Sequence, residues 1–209
     1  MADEKLPLWL QWARRLQAIS QSGLFYSQND FDIERFKEIQ HISADILQNY
    51  TSVSENELLT LFNDQVGYAT PKVTVRAAVF NDHRILLVRE KLDARWSMPG
   101  GWADINDPPS RMIEREVFEE SGFVVKAKKL ISVHESNRDI MPLTYWHNYK
   151  LVFMCELIGG EPKTSIETTE IKFFPLQDIP ELSPARNTLK DIEEAFYFLD
   201  HKNETTYFD

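Results

Sequence analysis

The sequence predicts an α+β protein, a small all-helical unit over residues 1–66 followed by a mixed domain of strands and helices over residues 70–200. Three observations predict it. Apolar side chains recur at helical spacing through the first unit. From Val73 the texture changes to short runs rich in β-branched and apolar residues, "VTVRAAVF" and "RILLVRE", with an Asn81-Asp82 turn signal between them. Strong helix signals then return after Asp107 and again near Ser183. The segment "VGYATPK", with its glycine and proline, reads as the linker.

In the first unit Trp9, Trp12, Leu16 and Ile19 form one stripe, and Gly23 is expected to stop that helix. Asp30 or Asp32 is the expected cap of a second helix, with Phe36, Ile39, Ile46 and Tyr50 as its stripe. Ser54 and Glu57 make a capping box for a third, "SENELLTLFND". So small a unit cannot bury all these side chains internally, so it is expected to act as a dimerisation element.

In the second unit "FVVKAKKLISV", "YKLVFMCEL" and "IKFFPL" read as further strands, with Gly159 and Gly160 punctuating the second of them. "SPARNTLKDIEEAFYFL" reads as a closing helix entered through Ser-Pro.

Charge narrows the partners. The chain has 209 residues and a formal net charge of -10. Residues 1–66 carry five Lys or Arg against ten Asp or Glu, the wrong sign for a DNA backbone. An acidic surface also disfavours membranes and phosphate ligands, so a phosphate-bearing substrate requires a mediating cation. Cys155, the one cysteine, lies in an apolar run and reads as a buried structural thiol. No basic segment leads into an apolar one at the start, and no apolar run approaches the ~20 residues of a membrane span. The cytoplasm is the expected location.

The stretch "PGGWADINDPPSRMIEREVFEESGF" carries the chemistry. Pro99-Gly100-Gly101 is a backbone that can approach a ligand closely. Asp107-Pro108 is a helix start, and Gly122 ends the helix. On it Glu116, Glu119 and Glu120 stand at i, i+3 and i+4, so they share a face and repel one another. Carboxylates clustered in this way suit a hard cation such as Mg²⁺ or Mn²⁺.

The same stretch resembles the Nudix box: Gly, five residues, Glu, seven residues, Arg-Glu, an aliphatic, any residue, Glu-Glu, any residue, Gly, an aliphatic. Gly101 opens it, Asp107 stands in place of the first Glu, and Arg115 to Phe123 closes it, with Phe123 in place of the aliphatic. The resemblance implies a mixed sheet sandwiched between helices from about residue 70 to residue 195. It implies a metal site of Glu116, Glu119 and Glu120, with the Gly100 carbonyl as a further ligand. Arg115 would orient the cluster, and Asp107 would hold loop and helix together. Glu170 and Glu167, in the late segment "SIETTEIKFFPL", are candidates for a further ligand or for the general base. The helical unit is similar to the extra domain of a Nudix subgroup associated with CDP-choline and ADP-ribose pyrophosphatases.

The implied reaction is metal-dependent hydrolysis of a nucleoside diphosphate linked to another moiety. CDP-choline, cleaved to CMP and phosphocholine, is the first expectation. ADP-ribose, cleaved to AMP and ribose 5-phosphate, is the alternative. A second alternative is a non-catalytic sensor that binds a nucleotide. Arg76 and Arg89 are candidate phosphate ligands. Tyr145, Trp146 and His147 are candidates for stacking on a base or facing choline. His134 and Arg138 are read as pocket-lining loop residues, and Arg186 as a helix cap or a site residue.

Overall fold

The computed structural model describes residues 7–135 and 146–209. They fall into two compact units, residues 7–71 with 146–147, and residues 72–135 with 148–209.

The first unit contains α1 (Leu8–Tyr26), α2 (Asp30–Tyr50) and α3 (Glu55–Asn63). The first two helices meet through small side chains: Ala13, Ser20, Ser43 and Ala44 are all fully buried, and the Ser43 hydroxyl donates to the Ala13 carbonyl at 2.8 Å. Gly23 belongs to this contact and does not stop α1. A Cβ there would lie 2.4 Å from the Phe36 ring, so the glycine permits close approach while the helix runs on to Tyr26. Leu10, Leu47, Leu58 and Phe62 complete the core. Two members of the expected α1 stripe point outward instead, Trp12 at 55% and Ile19 at 50% exposure. Asn29, not Asp30 or Asp32, caps α2 by accepting from the amides of Phe31 and Asp32. The Ser54–Glu57 capping box forms as expected.

The second unit is built on β1 (Lys72–Asn81), which joins β2 (Arg84–Glu90) through a turn whose central residues Asp82 and His83 have φ of 48° and 57°. Positive φ at both positions is what a tight hairpin turn of matching twist requires. The remaining elements are β3 (Trp96–Ser97), α4 (Pro109–Ser121), β4 (Phe123–Glu135), β5 (Asn148–Gly160), β6 (Thr168–Phe174), α5 (Leu189–Asp200) and β7 (Tyr207–Phe208). The mixed sheet runs β3-β2-β1-β5-β4-β7, with β6 paired to β2. Side-chain alternation along β1 sends Val75, Ala77 and Val79 towards α4 and Ala78 towards α5. Both faces are therefore buried, which is why this strand reads as a continuous apolar run.

The closing helix starts later than Ser183-Pro184. Thr188 caps it in a capping box with Asp191, and residues 183–187 form a turn before it. The strands β3 and β7, each two residues long, carry too little pattern to be read from sequence. Cys155 is buried, and burial pushes its thiol up to about 12. Among the described residues no helix is long and apolar enough to cross a membrane.

Candidate active site

The site is assembled from the loop after β3 and the helix α4. Gly100 has φ of +138°, and a Cβ on it would sit 2.1 Å from the Val75 carbonyl oxygen, so only glycine fits. The loop lies along β1: Ala77 N–H donates to the Pro99 carbonyl and Val75 N–H to the Gly101 carbonyl, both at 2.9 Å. From within the domain Arg76 donates to the Met98 carbonyl at 3.1 Å and to the Gly100 carbonyl. The Gly100 amide donates to Glu120 Oε2 at 2.9 Å. A Cβ on Gly101 would meet Glu116 Oε2 at 3.1 Å, so this glycine lets the loop rest against that carboxylate.

The helix begins differently from expectation. Pro108 occupies the cap position with extended backbone angles, and no side chain caps α4. Asp107 lies one residue further out and accepts from Arg115 Nε at 3.2 Å. Gly122, in the left-handed region, ends the helix as expected.

Arg115 resolves part of the repulsion in this run. Its Nη1 lies 3.0 Å from Glu116 and 2.9 Å from Glu119, its Nη2 2.8 Å from Asp104, and its Nε bonds Asp107. One guanidinium facing four carboxylates leaves three negative charges uncompensated. Burial raises the pKa of Glu116; Arg115 opposes the rise, and Glu119, Asp104 and Glu167 add to it. Glu120, 6% exposed, is pushed up to about 7 by burial, with Arg76 and the Gly100 amide opposing and Glu90 and Glu116 reinforcing. A divalent cation would relieve this excess.

The donor set is chemically right for such an ion: hard carboxylate oxygens on one helix face beside a glycine loop. Among the described residues, however, no three carboxylate, imidazole or thiol groups converge on one point. Glu116 and Glu119 turn to Arg115, and Glu120 turns to the Gly100 amide. An ion here would rely on water and substrate oxygens for much of its shell, as Mg²⁺ commonly does. The Gly100 carbonyl already accepts from Arg76, which leaves one lone pair for an ion.

Other expected residues separate. Glu167 lies near enough to Glu116 to raise its pKa. Glu170 faces Arg89 across the β2–β6 pair and is ion-paired to both Arg89 and Lys172, which hold its carboxyl below the usual range. Arg89 also donates to the Ala94 carbonyl at 2.8 Å. Arg76, 6% exposed, is occupied by loop carbonyls, so it supports the loop from within and is not an open phosphate clamp. His134 lies in β4 rather than in a loop, 3.1 Å from Asp191. Arg186 neither caps α5 nor reaches the carboxylate face; its Nε bonds Glu90 at 2.7 Å. Tyr145 and Arg138 lie outside the described residues, and Trp146 and His147 fall with the first unit. Several buried polar groups were not read from the sequence, among them Glu90, Asp191 and Asn187. Asp191 was signalled by the Thr188-x-x-Asp191 capping pattern, whereas Asn187 had no signal.

Comparison with known proteins agrees with this geometry. The NUDIX domain description matches residues 70–196, and a UDP-X-like, N-terminal oligomerisation domain matches residues 7–62. A Bacillus subtilis protein provisionally named ADP-ribose pyrophosphatase YjhB is 39% identical over 201 residues, 96% of this chain and 97% of that one. The crystal structure of a UDP-X diphosphatase superposes with a TM-score of 0.62 at 29% identity, covering 96% of this chain and 98% of its own. An ADP-ribose pyrophosphatase from Streptococcus suis 89-1591 also gives a TM-score of 0.62, at 33% identity, over 67% of this chain and all (100%) of its own. With the glycine loop, the carboxylate helix and these matches in agreement, the chain belongs to the Nudix family, as a pyrophosphatase-type hydrolase that carries an extra helical domain ahead of its hydrolase domain.

Proposed function

We propose that the enzyme hydrolyses the diphosphate bond of a nucleoside diphosphate joined to a sugar or alcohol, with ADP-ribose, giving AMP and ribose 5-phosphate, as the leading substrate. The observation that carries the chemistry is the uncompensated negative charge on α4, where Glu116 and Glu120 are both disfavoured as anions. Glu116, Glu119 and Glu120 would hold Mg²⁺ or Mn²⁺, and the Gly100 amide keeps Glu120 aimed at the loop. Such an ion would supply neutralisation of the diphosphate and a lowered pKa for an attacking water. Glu167 is the better candidate for general base. It belongs to the same electrostatic cluster as Glu116, whereas Glu170 is neutralised by two cations and held a weaker base.

ADP-ribose is supported by the names of two relatives, the Bacillus subtilis protein and the Streptococcus suis structure. CDP-choline, the second reading, rests on the aromatic run Tyr145, Trp146 and His147. Side-by-side kcat/KM values for ADP-ribose, CDP-choline and UDP-sugars with each metal decide the order. Turnover of nucleoside triphosphates alone would reject all three. The helical unit is proposed to pair two copies of the chain, since Trp12, Ile19, Phe25 and Phe31 are each at least half exposed on it. Sedimentation of full-length protein against a chain starting near Thr70 tests this, and an unchanged oligomer would end the idea.

A further inference from the structure

Asn187 is fully buried and lies outside every segment so far tied to catalysis. The segment before it runs beside β3. Trp96 N–H donates to the Glu181 carbonyl at 3.0 Å, Ser183 N–H donates to the Trp96 carbonyl at 2.7 Å, and Trp96 and Leu182 form a parallel bridge. The chain then turns away, with the amides of Arg186 and Asn187 both donating to the Ser183 carbonyl. No backbone carbonyl remains to meet the next donor of the β3 edge, the Met98 amide. The side chain of Asn187 supplies one: its Oδ1 accepts from Met98 N–H at 2.9 Å. Next to it Arg186 anchors the turn on Glu90, which also accepts from the Ser97 hydroxyl.

The position of this rung, directly ahead of the glycine loop, gives it weight. Pro99 has no N–H, so the arc Met98-Pro99-Gly100 has two backbone donors. The Gly100 amide is held by Glu120, and the Met98 amide by Asn187. Arg76 holds the carbonyls of both residues. We propose that Asn187 is a positioning residue for the metal site: through the Met98 amide it fixes the arc against which Glu120 is aimed. The inference rests on the reading of Glu120 as a metal ligand. Asn187 touches neither ion nor substrate, so its effect passes through loop geometry. Groups that orient metal ligands typically change affinity by 10–100-fold when removed.

The test is Mn²⁺ titration of the substrate-free full-length protein, followed by electron paramagnetic resonance, with urea unfolding as the check on folding. Asn187→Ala removes the acceptor and is expected to weaken Mn²⁺ binding about tenfold or more in a folded protein. Asn187→Thr, close to asparagine in volume but with its hydroxyl drawn back to Cβ, serves in its place if the alanine variant does not fold, with the same expectation. Glu181→Ala removes an exposed ion pair with Arg95 while retaining the backbone rung, and should leave binding unchanged. Wild-type affinity in a folded Asn187→Ala or Asn187→Thr protein, with Glu120→Gln weakened, overturns the inference alone. Wild-type affinity in Glu120→Gln overturns the metal-site reading beneath it.

Discussion

Glu120 and Asp191 are both buried carboxylates of the same domain, and their surroundings drive them in opposite directions. Burial opposes the charge of each. At Asp191 the opposition is outweighed: Lys150 Nζ sits 2.9 Å away, His134 3.1 Å away, and the Thr188 amide donates to it, so the carboxyl is held well below its usual range. At Glu120 Arg76 and one amide are not enough, because Glu90 and Glu116 add like charge, and the carboxyl rises to about 7. The difference separates a finished structural network from an unfinished one. Asp191 has its partners inside the fold and ties α5 to β4 and β5. Glu120 is left short of positive charge on the helix face proposed to take a metal ion.

The largest expected effect tests that division directly. Glu120→Gln should keep the fold and lower turnover by roughly a thousandfold or more, since the amide is similar in shape but lacks the charge that holds the ion, and the loss corresponds to several kcal/mol of electrophilic stabilisation. Steady-state kcat at saturating Mg²⁺ or Mn²⁺ measures it. Near-normal kcat would place Glu120 with Asp191 among structural groups.

Asp191→Asn should do the reverse. Lys150 has a side chain only 3% exposed and would lose its direct counter-charge, so urea unfolding should show a loss of about 3–5 kcal/mol. Among the described residues, the charged and titratable groups that face Asp191 are Lys150 on β5, His134 on β4, Glu194 one turn along α5 and, through space, Arg76 on β1. Because its folded pKa lies below the ordinary ~3.9 of an unfolded aspartate, its stabilisation is complete above about pH 4 and is lost as pH falls further. The stability gap between wild type and the asparagine variant should therefore narrow below about pH 4. A gap that stays constant down to about pH 2 would remove the ion pair as its cause.

This contrast also explains what the sequence revealed. The metal-site candidates were legible because helical spacing alone puts Glu116, Glu119 and Glu120 on one face, and glycines mark the loop and the helix end. The strands were legible from apolar runs, and Ser54–Glu57 from its own chemistry. Gly23 misled because a glycine that stops a helix and one that lets two helices touch look the same until the partner, Phe36, is known. Arg89 and Glu170 were assigned separate roles because only the register of β2 with β6 sets them opposite each other. Asn187 was invisible because its role depends on the path of residues 181–187 past β3, and no local pattern encodes a side chain standing in for a backbone carbonyl.

Asp107 offers the smallest effect and marks the other end of the comparison, a partly exposed carboxylate with a partner. Read as a helix cap, it would leave an unpaired amide when replaced. In the structure it caps nothing and accepts from Arg115, with side chains 24% and 35% exposed. Pairs of this kind contribute less than about 1 kcal/mol. Arg115 also keeps Asp104, Glu116 and Glu119 as partners when Asp107 is lost. Asp107→Ala should therefore lower stability by less than about 1 kcal/mol in urea unfolding and weaken Mn²⁺ binding only modestly, through the freedom it gives Arg115 beside Glu116 and Glu119. Asp107→Glu, one methylene longer, can still reach the guanidinium and should match wild type in both measurements. If the folded alanine variant were inactive at saturating metal, Asp107 would join Glu120 as a group the reaction uses, and partial exposure would no longer separate supporting carboxylates from the ones that bind the ion.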